Sequence, residues 1–134
     1  MAGAAVGLGL WVLLSDSYRP GVAWVLMVSA VVLRELAPFH FTGAEQSFSW
    51  IPFGASMAAE HAAGVAVLSR KAFEYGSLVW MLQAGKFRPM VAGVLVAIGL
   101  FGMEMMQTRM PGRSPEITDA VIALLMGLIL RQLT

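Results

Sequence analysis

Long runs of apolar residues, separated by short polar breaks, occupy most of the chain. The runs have the length of helices rather than strands, and stretches such as residues 91–101 show no alternation of polar and apolar positions. The pattern predicts five hydrophobic helices. Their expected bounds are residues 2–14, 20–37, 66–84, 89–108 and 116–133.

Prolines and polar turns set the expected helix ends. Pro20 suits the first turn of the second helix, and Pro38 disfavours helical geometry at the residue before it. Residues 85–89 (GKFRP) form a tight basic turn before the fourth helix. Residues 109–115 (RMPGRSP) form a second turn before the last helix.

The segment between the second and third helices has a different character, because aromatic and polar residues are interleaved across residues 39–61. It is too polar to cross hydrocarbon and unusually aromatic for a free loop. Aromatic rings with polar neighbours favour the headgroup level of a bilayer, so we expect an interfacial or re-entrant segment. A soluble linker is the alternative.

The third helix has two possible forms, because Arg70, Lys71 and Glu74 interrupt its apolar pattern. Either one long helix carries these charges against its neighbours, or an amphipathic piece precedes a span that starts near Lys71. In a helix the three side chains share one face, and pairing lowers the cost of placing them at membrane depth.

Composition identifies the environment in which these helices fold. The chain has 134 residues, of which 58% are hydrophobic and 13% charged, and its mean hydropathy is +0.74. Soluble domains are about 45–50% apolar and about 25% charged. The sequence therefore predicts an all-α integral membrane bundle of four or five transmembrane helices, with the aromatic segment at the interface.

Charge and residue types exclude several classes of function. The net charge is +1 without a dense basic patch, so we expect no nucleic-acid partner. The chain has no cysteine, and neither histidine belongs to a metal-ligand motif, so we expect neither a metal nor another cofactor. The apolar start lacks a basic flank, which favours a retained first helix over a cleaved signal peptide.

The distribution of cations favours one orientation in the membrane. The short turn at residues 85–89 contains Lys86 and Arg88, which places it in the cytoplasm. The aromatic segment and the turn at residues 109–115 then lie on the outer face. Arg34 and Glu35, at the end of the second helix, are expected to mark the water interface on that side.

Polar residues near the last turn form the candidate site. Glu104 and Gln107 share a helix face, and the hairpin brings them to the depth of Arg113 and Asp119. We call these four residues the polar cluster. As a functional site, it would recognise a polar headgroup, with Arg113 bonded to phosphate and Glu104 or Asp119 as candidate general acid or base.

A structural role for the same residues is the alternative. Asp119 and Glu116 would then complement the dipole at the start of the last helix, and Glu104 and Gln107 would hydrogen-bond neighbouring helices. His40, in the aromatic segment, is a further candidate for contact with a headgroup.

Residues 100–130 resemble the signature of the VanZ-like family, small bacterial membrane proteins named after a teicoplanin-resistance accessory protein. The family pattern has a Glu-x-x-Gln pair, a turn often containing Gly-Arg, and acids that open a Gly-rich final helix. Glu104 and Gln107 match the pair, and Arg113 matches the turn. Glu116 and Asp119 match the acids.

The resemblance implies a role at the bacterial envelope without implying a reaction. The chain departs from the family pattern in its third helix, which reads RKAFEYGS, so we expect Lys71 or Glu74 to join the cluster. Ala123 also stands where the family commonly has Asn.

Three functions remain open from the sequence. The first is a binding protein of the bacterial cytoplasmic membrane, whose outward-facing site takes a lipid headgroup, a lipid-linked glycan or a glycopeptide. The second is an intramembrane enzyme that acts on such a lipid, and the third is a structural subunit.

Overall fold

The computed structural model describes residues 2–58 and 61–134, and this part of the chain is all-helical. Six helices follow one another in the described residues, and the third is a single short turn. They are α1 (Ala2–Leu13), α2 (Arg19–Leu36), α3 (Gly54–Ala58), α4 (His61–Ala84), α5 (Pro89–Gln107) and α6 (Thr118–Leu133).

Four of the five expected helices lie within two residues of their expected ends. The last helix begins at Thr118 rather than at residue 116, because Ser49 pairs with the backbone just before it. The third expected helix differs more, since α4 runs without interruption from His61 through both Arg70 and Lys71. The form with one long helix is therefore confirmed, and α3 is an element that the pattern did not predict.

One of the described helices, α5, is long and apolar enough to cross a membrane. Its 19 residues extend about 28 Å, close to the thickness of a bilayer's hydrocarbon core. Only 28% of its most apolar window is buried within the molecule. Within residues 2–58 and 61–134, helix length and apolarity thus identify a single candidate span.

Helices α5 and α6 make the most extensive contact of any pair of described helices. Two glycines, one on each helix, allow their backbones to approach closely. A Cβ at Gly93 would lie 3.0 Å from the Cα of Gly127, and a Cβ at Gly127 would lie 3.1 Å from the Cα of Gly93. Ala123, which is fully buried, continues the same contact. Small residues at these positions let the two backbones touch.

The remaining long helices pack around this pair. Helix α4 packs against both α5 and α6, and α2 packs against α4 and α5. Apolar side chains from these four helices form the buried core. Its members are Val31, Tyr75, Leu78, Ala97, Leu100, Ala120, Ile122 and Ala123.

The aromatic segment crosses the end of the bundle where α2 and α5 finish and α6 begins. Its backbone is bonded to the last interhelical turn: Thr42 N donates to Arg109 O at 2.8 Å, and Ser49 N donates to Pro115 O at 3.0 Å. Ile117 N donates back to Ser49 O at 3.1 Å. The segment is thus fixed to the bundle along much of its length, and its interfacial position stays a prediction.

The glycine crossing gives a test of the packing. Gly93→Val should lower the free energy of unfolding in detergent by about 2 kcal/mol, because the added side chain meets the backbone of α6. Gly102→Val is the matched control, since a Cβ at that position meets nothing within 4 Å. Equal thermal stability of the two variants would contradict the close crossing.

Candidate functional site

The structure brings the polar cluster together at one end of the bundle. Glu104 and Gln107 lie in the last turn of α5, Asp119 lies in the first turn of α6, and Arg113 lies in the turn between them. Glu104, Gln107 and Asp119 are buried. The antiparallel hairpin that the sequence predicts is what places them at one level.

Asp119 connects α6 to α4. Its carboxylate forms an ion pair with Lys71 Nζ and accepts a 2.5 Å hydrogen bond from the Tyr75 hydroxyl. Lys71 and Tyr75 are four residues apart, so they project from one face of α4. Only 1% of Asp119 is exposed, and both carboxylate oxygens have partners. Asp119 therefore links α6 to α4.

Glu104 holds the entry to α6. Its Oε2 accepts a 3.0 Å hydrogen bond from the backbone N–H of Glu116, and its carboxyl also lies beside that of Asp119. Lys71 is close to both carboxyls. A cation between two neighbouring acids offsets the repulsion that they would otherwise exert on each other.

Glu116 and Thr118 attach α3 to this end of the bundle. Glu116 Oε2 accepts a hydrogen bond from Ala55 N at 3.2 Å, and Thr118 Oγ1 accepts one from Phe53 N at 2.7 Å. Both donors are backbone groups at the start of a helix, which have no partner inside that helix. The Glu116 carboxylate thus accepts a hydrogen bond from a free backbone N–H of α3 rather than from the first turn of α6.

A second polar group lies beside the first, where α2 meets α4 and α5. Arg34 Nη2 donates to Glu35 Oε1 at 2.7 Å, and its other terminal nitrogen pairs with Glu74. Gln107 Nε2 donates to Glu35 Oε2 at 3.3 Å and to the Glu35 carbonyl at 3.2 Å. Glu74, a candidate from the sequence, therefore belongs to this second group.

Arg113 caps the end of α2. Its Nη2 donates to the carbonyls of Arg34 at 3.0 Å and Ala37 at 2.6 Å. Carbonyls in the last turn of a helix receive no hydrogen bond from an N–H group inside the helix, so a nearby cationic side chain can donate to them instead. The sequence predicts that Arg113 binds phosphate, and in the structure one of its terminal nitrogens, Nη2, is bonded to backbone carbonyls.

A cavity of about 470 Å³ opens between these two groups, and we call it the polar cavity. Residues of α2, α4 and α5 and of the turn before α6 surround it. Its charged and polar lining residues are Arg34, Glu35, Arg70, Lys71, Glu104, Gln107, Arg113, Ser114 and Glu116. Mixed charges around one opening suit a ligand that carries both a negative group and hydrogen-bonding groups.

The site residues expected from the sequence fall into three positions. Glu104, Gln107, Arg113, Glu116 and Lys71 line the polar cavity. Asp119 and Glu74 lie outside its lining and are bonded to residues that do line it. His40 is exposed and lies outside the lining.

Sequence reasoning missed several residues of the site. Arg34 and Glu35 had been assigned to the water interface, and the structure buries Glu35 against Gln107. Charges within an otherwise apolar helix were the available signal for both, and for Arg70 as well. Nothing in the sequence indicates that Tyr75 belongs to the site, because a tyrosine in a hydrophobic helix is ordinarily predicted to be a core residue.

The chemistry open to the site follows from which groups reach the cavity. Of the two candidate acid or base residues, Glu104 lines the polar cavity and Asp119 does not, so a proton exchanged with a ligand would pass through Glu104. Arg70 is an exposed cation at the same opening. Within residues 2–58 and 61–134, no group of three acidic or histidine side chains could hold a metal ion.

Comparisons with known proteins add no relative. No protein-family model, no curated protein and no solved structure matches the chain. The likeness of residues 100–130 to the VanZ-like signature stays a prediction.

The ion pair around Asp119 gives a test of the site's structural part. Lys71→Met should lower the free energy of unfolding by about 3 kcal/mol, because it leaves two neighbouring buried carboxyls without their cation. Tyr75→Phe should cost about 1.5 kcal/mol, the value of a hydrogen bond to a charged group. Chemical denaturation in detergent measures both.

The matched control is an ion pair at the other end of α2. Asp16 pairs with Arg19, and 89% of the Asp16 side chain is exposed. Asp16→Asn should therefore leave stability unchanged within about 0.5 kcal/mol. A loss as large as that of Lys71→Met would show that the assay does not distinguish buried from exposed pairs.

Proposed function

We propose that this chain is a VanZ-like, multi-pass protein of the bacterial cytoplasmic membrane that binds a phosphate-bearing polar headgroup. The headgroup belongs to a membrane lipid or a lipid-linked glycan. The observation that carries the proposal is the polar cavity, because cations from α2, α4 and the last turn converge there with carboxylates and an amide.

Exposed apolar side chains support insertion of several helices. Soluble monomers rarely expose large contiguous apolar patches, whereas lipid-facing helices expose them along their length. Four long helices here carry such side chains on their outer surfaces. They include Val25, Leu26, Leu33, Val65, Phe73, Trp80, Val91, Leu95, Ile98, Leu124, Leu125 and Leu128.

The depth of the polar cavity supports a headgroup as its ligand. It lies at the end of α5, the candidate span, and at the same end of the bundle as a segment whose exposed aromatic side chains include Phe41 and Trp50. Aromatic residues of this kind favour the boundary between hydrocarbon and water. A cavity at that boundary faces the phosphates and sugars of lipid headgroups.

Phosphate fits the cations that remain available. Arg70 is exposed at the opening, and Arg113 uses only Nη2 on the carbonyls of α2. Arginine binds phosphate through several N–H groups in one plane. The carboxyl of Glu104 and the side-chain oxygen of Gln107 then offer acceptors to hydroxyl groups elsewhere on the headgroup.

A structural subunit is the second candidate, and one observation favours it. Asp119, Lys71, Tyr75 and Glu104 bond largely to protein groups, as residues that only lock helices together would do. In that case the cavity would show no preference for phosphate. The binding experiment below separates the two candidates.

The topology is testable with single cysteines, since the chain has none of its own. Gly43→Cys should react with a membrane-impermeant maleimide in intact cells, because position 43 is exposed on the outer segment. Phe87→Cys should react only after permeabilisation. The unchanged chain is the unlabelled control, and reaction of both variants from one side would exclude α4 as a span.

Phosphate recognition is testable with two lipids that share their chains. Native mass spectrometry should show that the protein binds phosphatidic acid more tightly than diacylglycerol, which lacks the phosphate. Arg70→Gln should weaken phosphatidic acid binding about tenfold, because it removes a charged hydrogen-bond donor at the opening. Binding of diacylglycerol should not change.

The matched control is Arg88→Gln at the opposite end of α5, where an exposed arginine precedes the helix. It should leave both affinities unchanged. Equal affinity for the two lipids would favour the structural subunit. Teicoplanin, titrated in the same way, tests a glycopeptide as the ligand instead of a lipid.

A further inference from the structure

An apolar groove of about 360 Å³ runs along the bundle among α2, α4 and α5, and we call it the α2–α5 groove. Apolar side chains line it, together with Gly99. On α2 the lining extends from Trp24 to Val32, which corresponds to about 12 Å along the helix. The groove is therefore long, narrow and parallel to the helices.

The groove and the polar cavity lie on the same helix faces. Residues spaced by four, three and four positions share one face of a helix. On α2 and α5 such series begin in the groove and end at the cavity. They are Trp24, Val28, Val31 and Glu35 on α2, and Val96, Leu100, Met103 and Gln107 on α5.

One hydrogen-bonded pair lies about one helical turn beyond the groove lining. Glu35 and Gln107 end their series and bond to each other at 3.3 Å. Both line the polar cavity, while Val32 and Met103, three or four residues earlier on the two helices, line the groove. A ligand that occupied both spaces would thus be polar on one side of this pair and apolar on the other.

We propose that one hydrocarbon chain of the bound lipid lies in the α2–α5 groove while its phosphate occupies the polar cavity. This inference rests on the proposed function and adds the part of the ligand that the polar cavity does not hold. A chain in the groove lies parallel to the helices, as lipid chains do in a bilayer. The hydrocarbon chain would also make van der Waals contacts with the residues that line the groove.

The distribution of apolar and polar residues favours a hydrocarbon chain of the ligand as the occupant of the α2–α5 groove. The groove lining reaches Val32 and Met103, and the pair that lines the headgroup site lies three or four residues further along the same two helices. A molecule filling both spaces must therefore change from apolar to polar near that pair. A single-chain phospholipid has this form. The groove accordingly determines which lipids bind, through the length and shape of one chain.

Photo-crosslinking of lysophosphatidic acid tests the inference. The probe carries a diazirine at the end of its single chain and is added to the full chain in phosphatidylcholine nanodiscs. Peptide mapping should place the crosslinks in the groove, on residues such as Leu78, Leu95 and Val96. Unlabelled lysophosphatidic acid should compete for them, and Arg70→Gln should reduce them.

Two glycine variants of α5 give the matched comparison. A side chain at Gly99 would project into the groove, whereas Gly102 lies outside the groove lining, and neither position has an atom within 4 Å of an added Cβ. Gly99→Phe should reduce the groove crosslinks at least about fivefold, and Gly102→Phe should leave them unchanged.

The possible outcomes separate this inference from the proposed function. Crosslinks spread evenly over the outer surface of the unchanged protein would overturn the groove assignment while phosphate recognition stands. A lack of any preference for phosphatidic acid over diacylglycerol would overturn both. The map on the unchanged protein decides the first point even if a variant fails to fold.

Discussion

The interaction on which the arrangement depends is the contact of Asp119 with Lys71 and Tyr75. It joins the start of α6 to the middle of α4, and it brings Asp119 beside Glu104 of α5. Three helices therefore meet at one buried charge. A buried carboxylate is costly without its partners. The Lys71–Asp119 ion pair therefore fixes how α4 and α6 are aligned along their axes. The polar cavity opens beside this point, and Lys71 and Glu104 are part of its lining.

Buried polar residues at this end of the bundle, which include Asp119, Glu35 and Gln107, divide the molecule into two chemical regions. On one side lie the cavity, the aromatic segment and the turn between α5 and α6. On the other side the bundle has an apolar core, and large apolar side chains are exposed on the outer surface of its helices. Glu35 and Gln107 form part of the division, since each ends an apolar helix face. Such a boundary is what a protein needs if its ligand is itself polar at one end only.

The sequence predicted the helices well because their signal is local. Proline, polar turns and continuous apolar runs set the ends of α2 and α5, and the Glu-x-x-Gln spacing placed Glu104 and Gln107 on one face. The partners of those residues were not predictable in the same way. The Tyr75–Asp119 hydrogen bond spans 44 positions and the Gln107–Glu35 bond spans 72, and no periodicity encodes such pairings. Arg113 donates to the carbonyls of Arg34 and Ala37, which lie 79 and 76 positions earlier, and no local pattern encodes those contacts either.

That separation has a consequence for how the protein is made. The chain leaves the ribosome from its N-terminus, so α2 is complete long before Arg113 exists. Until then the carbonyls at its end, including that of Ala37, lack the guanidinium that finally satisfies them. The native end of α2 therefore forms only after the turn that contains Arg113 has been synthesised. Assembly of this end of the bundle therefore requires the turn between α5 and α6.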